Sequence, residues 1–259
     1  MHDLHIHTSL SSCARSNSEP EDYFRAIPER KLSIAGFSNH LWDSAIPGAD
    51  GWYRPQNIEH LLPLKKQLAE TSLPGTVLLF GCETEYTGGG CASLHPDHAG
   101  VFDYVLISAH HFHKPLVRPP GITGGEKLTA LFVSRFLEVC EFGFAWGIVH
   151  PFMPFGFPGR EKEIIRNLPD RLLEECFTAA SERKKFVELN LSVICKLAAA
   201  DALEDYKRVM QIARQCSCRF YMGSDAHGMC HFGMERFRAG LDFADACGIE
   251  LSENPFRKI

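Results

Sequence analysis

The sequence predicts an α/β protein built as a parallel β/α barrel. Three observations carry that expectation. Short apolar runs alternate with helix-patterned segments or long loops about seven times along the 259 residues. The runs are apolar throughout rather than alternating, as in strands covered on both faces. No Gly-rich phosphate fingerprint follows the first run, which disfavours a doubly wound nucleotide-binding sheet. Barrels of this length commonly form one domain, and no linker composition interrupts the chain, so a single domain over 1–259 is expected.

Taken in order, 1–7 reads as a buried strand ending in His5-Ile6-His7. Side chains alternate along a strand, so His5 and His7 should project together, with Leu4 and Ile6 opposite. A polar loop follows, containing Cys13 and Arg15. Ser18-Glu19-Pro20-Glu21 carries a Ser cap, an early Pro and first-turn acids, the signals of a helix start. Pro28 should kink or end that helix. The next strand, 32–37, runs into Ser38-Asn39-His40, and 41–57 is a loop rich in Trp, Pro, Gly and Tyr. Residues 58–68 have helical spacing. The strand at 76–80 ends in Gly81-Cys82-Glu83-Thr84-Glu85, and the strand at 103–107 runs into Ser108-Ala109-His110-His111-Phe112-His113. Helical periodicity returns over 126–142. A strand at 144–149 ends at His150-Pro151. A helix over 169–184 leads to a strand at 186–189, ending at Asn190. A helix over 201–216 precedes the last strand, 219–222, which ends in Gly223-Ser224-Asp225-Ala226-His227. A final helix covers 234–247.

Nearly every strand thus ends in a residue type that ligates metals: His5, His7, His40, Glu83, His110, His150, Asp225 and His227. Any one alone is more often structural than functional. In a β/α barrel, however, the C-terminal strand ends meet at one mouth. Imidazoles and carboxylates buried together cost free energy unless they are paired or metal-bound. A His and carboxylate set suits Zn, Mn or Fe. There are too many ligands for one tetrahedral ion, so two or three divalent ions are expected. The double histidine leaves two registers open, with His110 or His111 as the ligand.

Asp3-Leu4-His5-Ile6-His7, Ser38-Asn39-His40, Gly81-Cys82-Glu83, Ser108-Ala109-His110, His150-Pro151 and Ser224-Asp225-Ala226-His227 together resemble the ordered motifs of the PHP (polymerase and histidinol phosphatase) family. Glu188-Leu189-Asn190 is similar to its histidinol-phosphatase branch. The resemblance implies a distorted (β/α)7 TIM-like barrel with a trinuclear site and phosphoesterase chemistry. By motif, one ion would be held by His5, His7, Glu83 and Asp225, a second by Glu83, His110 and His150, and a third by His40 and His227. Many relatives add a first-loop His to the third ion, where this chain offers Cys13. The expected reaction is hydrolysis of a small phosphorylated substrate by a metal-bound hydroxide. Asp225 or His227 would help move the proton, and Arg15 would clamp the phosphate, with Arg118 and Arg160 as alternatives. Asp3 would orient a ligand imidazole. Trp42, Trp52, Tyr53, Phe112, Phe152, Phe155 and Phe157 would shape the pocket or simply pack the rim.

Two other enzyme classes compete. An amidohydrolase-type metallohydrolase also uses H-x-H and a late Asp, but often bridges its metals with a lysine, and no lysine stands at an expected strand end. A PHP-type nuclease is disfavoured by the net charge of −5, which makes a nucleic-acid partner unlikely. A metal-binding protein without catalytic activity fits the near-complete ligand set poorly. No apolar run is long enough to span a bilayer, and no basic-then-apolar leader opens the sequence, so a cytoplasmic protein without a membrane partner is expected. The ten cysteines form no C-x-x-C pair and read as reduced thiols.

Overall fold

The computed structural model describes residues 1–114, 116–252 and 254–256; positions 257–259 of the expected 1–259 domain lie outside the described residues. The chain runs β1 (His2–Ile6), α1 (Pro20–Arg30), β2 (Ile34–Leu41), α2 (Ile58–Glu70), β3 (Val77–Gly88), β4 (Cys91–Ala92), β5 (Tyr104–Ser108), α3 (Gly125–Cys140), β6 (Gly147–Val149), α4 (Glu161–Arg166), α5 (Asp170–Glu182), β7 (Phe186–Asn190), α6 (Leu191–Ala199), α7 (Leu203–Gln215), β8 (Arg219–Gly223) and α8 (Met234–Cys247). Seven strands pair in parallel in the order β1-β2-β3-β5-β6-β7-β8, while the short β4 pairs antiparallel with β3. This bears out the seven-stranded barrel.

Two apolar layers follow from the pleat. Ala35, Phe37, Val105, Ile107, Ile148, Val187, Leu189, Phe220 and Met222 pack outward among the helices. Ile34, Tyr104, Leu106, Val149, Phe186 and Tyr221 pack together inside the ring. Successive strand residues point to opposite faces, so the inward set continues upward along each strand. Ile34 leads to His40, Leu79 to Glu83 and Phe186 to Glu188. The interior is therefore apolar below and polar at the mouth. Tyr104 crosses the lower interior and donates to the Leu4 carbonyl at 2.7 Å. Gly36 and Gly81 leave it room: a Cβ would lie 2.8 Å from Tyr104 Cζ at Gly36 and 2.6 Å from Tyr104 Cε1 at Gly81.

β1 departs from the expected alternation. Leu4 joins the inner cluster while Ile6 joins the outer one. The β1–β2 register shifts between Asp3 and Ile6. The Asp3 carboxylate accepts the backbone N–H of His5 at 3.1 Å. This local irregularity re-aims the strand, as bulges near sites do.

The ring closes without a regular ladder between β1 and β8. A single bridge, Ile6 to Ala226, joins them. The N–H of Asp225 donates to His5 O at 2.7 Å and that of His7 to Ala226 O at 2.9 Å. Side chains supply the rest: His2 Nε2 accepts from the Met222 N–H at 2.9 Å and Asp3 Oδ1 from the Ser224 N–H at 2.8 Å. His2 is thus a buried residue of the seam.

Three expectations for the helices need correction. The N-cap of α1 is Glu19, whose N–H donates to Asp22 Oδ2 at 3.0 Å, whereas Ser18 Oγ donates to Arg15 O at 2.6 Å. Pro28 does not end α1, which continues to Arg30; a proline so close to the terminus removes only one hydrogen bond there. α4 and α6 lie where no helix is expected. None of the helices, among the described residues, is long and apolar enough to cross a membrane.

Candidate metal centre

Glu83 stands at the hub of the barrel mouth. Its Oε2 lies 3.3 Å from His5 Nε2, 3.4 Å from His7 Nε2 and 3.0 Å from His40 Nδ1. Its Oε1 lies 3.0 Å from His150 Nε2 and 3.6 Å from His111 Nε2. Register explains part of this, since His40 and Glu83 are direct partners across β2 and β3. Asp225 Oδ1 reaches His7 Nε2 at 3.4 Å and His5 Nε2 at 3.8 Å. Two ligand positions sit in left-handed backbone, His150 at φ 31° and Asp225 at φ 52°. Such strain in non-glycine residues clusters at functional sites and needs firm support. His150 has it: its N–H donates to Glu188 Oε2 at 2.6 Å.

The hydrogen bonds behind the cluster fix which ring nitrogens face inward. The Thr8 N–H donates to Asn39 Oδ1 at 2.7 Å, which sets the orientation of that amide. Ser11 Oγ donates to the same oxygen at 2.8 Å. Its hydrogen is then committed, so Ser11 Oγ accepts from His7 Nδ1 at 3.1 Å. The inward Nε2 of His7 is a lone pair. Likewise Glu188 Oε1 accepts from His5 Nδ1 at 2.7 Å, and the Asp225 carbonyl accepts from His227 Nδ1 at 2.9 Å. Glu85 accepts from His111 Nδ1 at 2.8 Å. In the neutral rings, the Nε2 atoms of His5, His7, His111 and His227 therefore carry lone pairs.

His5 Nε2 and His7 Nε2 approach to 3.0 Å, and both face carboxylate oxygens. Lone pairs so arranged repel unless a proton or a cation lies among them. The ionisation pattern expresses this. Burial alone would raise the carboxyl pKa values of Glu83 and Asp225; the facing imidazoles outweigh it and hold both well below the usual range. Burial opposes charge on His5, but Glu188, Glu83 and Asp225 hold its pKa well above normal. Burial, followed by the neighbouring His227, pushes His7 down to about 4. A divalent ion replaces the proton that this donor set otherwise demands. Three groups have ligand atoms mutually within 4.8 Å: His5, His7 and Asp225; His40, Glu83 and His111; and His7, Cys13, His40 and His227. His and carboxylate donors fit Zn, Mn or Fe.

Of the eight expected ligands, seven meet here and His110 does not. β5 ends at Ser108, and the chain then turns, with the Phe112 N–H donating to His110 O at 2.7 Å. Strand alternation no longer applies. His110 swings outward against Phe112, Phe132, Phe136 and Phe152. Both its nitrogens are used: Nε2 donates to Phe132 O at 2.9 Å and Nδ1 accepts from the Phe152 N–H at 3.1 Å. His111 takes the place in the cluster. We expect His111→Ala to lower the amount of bound metal, and His110→Ala to leave it near wild type while lowering the stability of the chelator-treated protein. Elemental analysis of both variants and urea unfolding in chelator check this; equal effects would contradict it.

Burial pushes the His110 pKa down from 6.5 to about 3, so the fold binds the neutral ring while the unfolded chain takes up the proton first. That contribution is fully present above pH 6.5 and is lost as pH falls toward 3. In chelator-treated protein the urea midpoint should fall across this window, and less steeply in His110→Gln. Identical slopes in the two proteins would refute the assignment.

The sequence reading missed Glu188 and Glu85 as site residues, although both motifs were in view. Glu85 is two residues beyond Glu83 on one strand and so shares its face. Glu188 holds His5, the His150 backbone and, at 3.0 Å, Asn190 Nδ2. It performs the orienting task expected of Asp3, which instead binds backbone. Phe112 and Phe152 belong to the outer core, whereas Trp52 and Phe155 reach the mouth, against His40 and His150 respectively. Arg160 is engaged by Glu163 and Thr123 O, and Arg118 by Gly156 O. Arg15 lies in the first loop, its N–H donating to His227 O at 2.7 Å. A cation not foreseen, Lys114, sits with Nζ 3.0 Å from the Trp52 ring centre.

A crystal structure of histidinol phosphate phosphatase (HisK) from Lactococcus lactis subsp. lactis Il1403, complexed with zinc, L-histidinol and phosphate, matches this chain with a TM-score of 0.63. The two are 14% identical, and the match covers 96% of this chain and 94% of that one. They share one fold. A second match, among YwqE from Bacillus subtilis and CpsB from Streptococcus pneumoniae, described as unique metal-dependent tyrosine phosphatases, is 17% identical with a TM-score of 0.48, covering 95% of this chain and 86% of that chain. No family model and no curated protein matches the sequence.

Proposed function

We propose that this chain is a metal-dependent phosphoesterase that hydrolyses a small phosphomonoester. The observation that carries the reading is the convergence of imidazole lone pairs and carboxylate oxygens around Glu83. His5, His7, His40, Glu83, His111, His150, Asp225 and His227 would hold two or three divalent ions. Such ions would supply Lewis-acid chemistry, activating water near neutral pH.

The chain's own groups do the rest. Glu188 and Ser11 fix the ring orientations of His5 and His7, so the donors need not reorganise. Asp225 and His227 are the partly exposed members, with side chains 13% and 20% accessible. As the solvent-accessible members, they are the groups we assign to exchange a proton with the leaving alkoxide. Arg15 and Lys114, both in loops at the mouth, are the cations we assign to the phosphoryl oxygens. Trp52 and Phe155 would bound the organic part of the ester.

The likeness in fold to a phosphatase bound to L-histidinol and phosphate makes histidinol phosphate the first ester to test. The experiment is elemental analysis of the purified protein beside phosphate release from p-nitrophenyl phosphate and histidinol phosphate, with and without chelator. Stoichiometric Zn, Mn or Fe with chelator-sensitive release is expected. Bound metal without phosphate release would transfer the site to another hydrolase class. No stoichiometric metal after reconstitution would overturn the reading.

A further inference from the structure

The first loop brings a thiol to the metal cluster. Cys13, His7, His40 and His227 place one ligand atom each within 4.8 Å of one another. Of the ten cysteines, Cys13 alone joins such a group among the described residues. The loop is fastened on both sides of it. The Ser12 N–H donates to Gln56 Oε1 at 2.9 Å, the Ala14 N–H to Ser11 O at 2.9 Å and the Arg15 N–H to His227 O at 2.7 Å. The three imidazoles are pressed together, with His7 stacked on His227 at 4.2 Å and His40 at 4.6 Å from His7. His40 is 5% exposed, and its Nδ1, 3.0 Å from Glu83 Oε2, is buried without a hydrogen-bond partner. An unpartnered buried nitrogen is costly and points to a ligand.

We propose that Cys13 is a thiolate ligand, and that the position it shares with His7, His40 and His227 is a soft metal site. A one-sulfur, three-nitrogen set favours zinc, and its spectroscopic stand-in cobalt, over manganese or magnesium. The other two groups contain only imidazole and carboxylate and make no such distinction. Binding replaces the S–H bond with a sulfur–metal bond and releases the proton to solvent. The inference rests on the metal reading above, but concerns this loop alone.

Cobalt(II) substitution of the full chain tests it. The loaded protein should show a near-ultraviolet sulfur-to-cobalt charge-transfer band. Cys13→Ser should lose the band and about one equivalent of cobalt. Cys13→His should keep the equivalent but lack the band, which separates lost ligation from lost folding. The nine remaining cysteines serve as internal controls in both variants. Full cobalt loading without the band, or a band that persists in Cys13→Ser, would overturn the thiolate assignment and leave the phosphoesterase reading standing. A wild-type chain that binds no cobalt would overturn both.

Discussion

Glu83→Gln should empty the site and stop phosphate release. One carboxylate faces five imidazoles, His5, His7 and His40 through one oxygen and His150 and His111 through the other. Glutamine keeps the shape but replaces one oxygen with a donor and removes the charge. An NH2 group turned toward two or three nitrogen lone pairs cannot bind a cation. Partners one layer farther from a metal typically cost about 10–100-fold when removed. Loss of the hub should therefore exceed about 100-fold in activity, with a matching fall in bound metal. Elemental analysis and p-nitrophenyl phosphate turnover on the variant decide it. Retained metal with turnover within a few-fold of wild type would show that Glu83 is only a structural acid.

Gly223→Ala should damage both stability and turnover, although it adds only a single uncharged methyl group. A Cβ at Gly223 would run into Glu188 Oε1 and lie 2.6 Å from His5 Cβ. Glu188 cannot retreat, since it accepts from His5 Nδ1, the His150 N–H and Asn190 Nδ2 at once. Crowding of this kind costs about 1–3 kcal/mol. Displacing the carboxylate would also release the His5 ring and the strained backbone at His150, a further loss of roughly 10–100-fold in activity. Urea unfolding with an unchanged m-value and steady-state kinetics read the two effects. Gly100→Ala is the control, because nothing lies within 4 Å of a Cβ there. If the two variants behave alike, the crowding account is wrong.

The strands were readable because their apolar runs are short and bounded by glycine, proline and polar clusters. Where regular geometry holds, side-chain direction was readable too: His40 and Glu83 follow from the pleat of β2 and β3. The failures fall where regularity stops. His110 lies two residues beyond the end of β5, in a turn that alternation cannot describe. Leu4 and Ile6 separate because the Asp3 carboxylate takes the His5 N–H and shifts the register. α6 begins directly after Asn190, with no loop between strand and helix to announce it, and Asn190 Oδ1 caps it by accepting from the Val193 N–H at 2.8 Å. Glu188 was hidden for another reason. A carboxylate inside an apolar strand declares that it has partners, but the sequence does not say which ones.

The seam between β1 and β8 gives the site a second meaning. It is the join in the ring that lacks a regular ladder, held by one bridge, two backbone hydrogen bonds and side chains. His5 and His7 lie on one side of it, Asp225 and His227 on the other. An ion gripped by both sides would be a cross-link between the first strand and the last, closing a loop that contains nearly the whole chain. Affinity for the ion and integrity of the barrel then become one equilibrium, worth about 2.7 kcal/mol when free ion stands at 100 times its dissociation constant. Starved of metal, such a molecule would first come apart at its own starting point, so that cellular metal supply would govern its abundance as well as its activity.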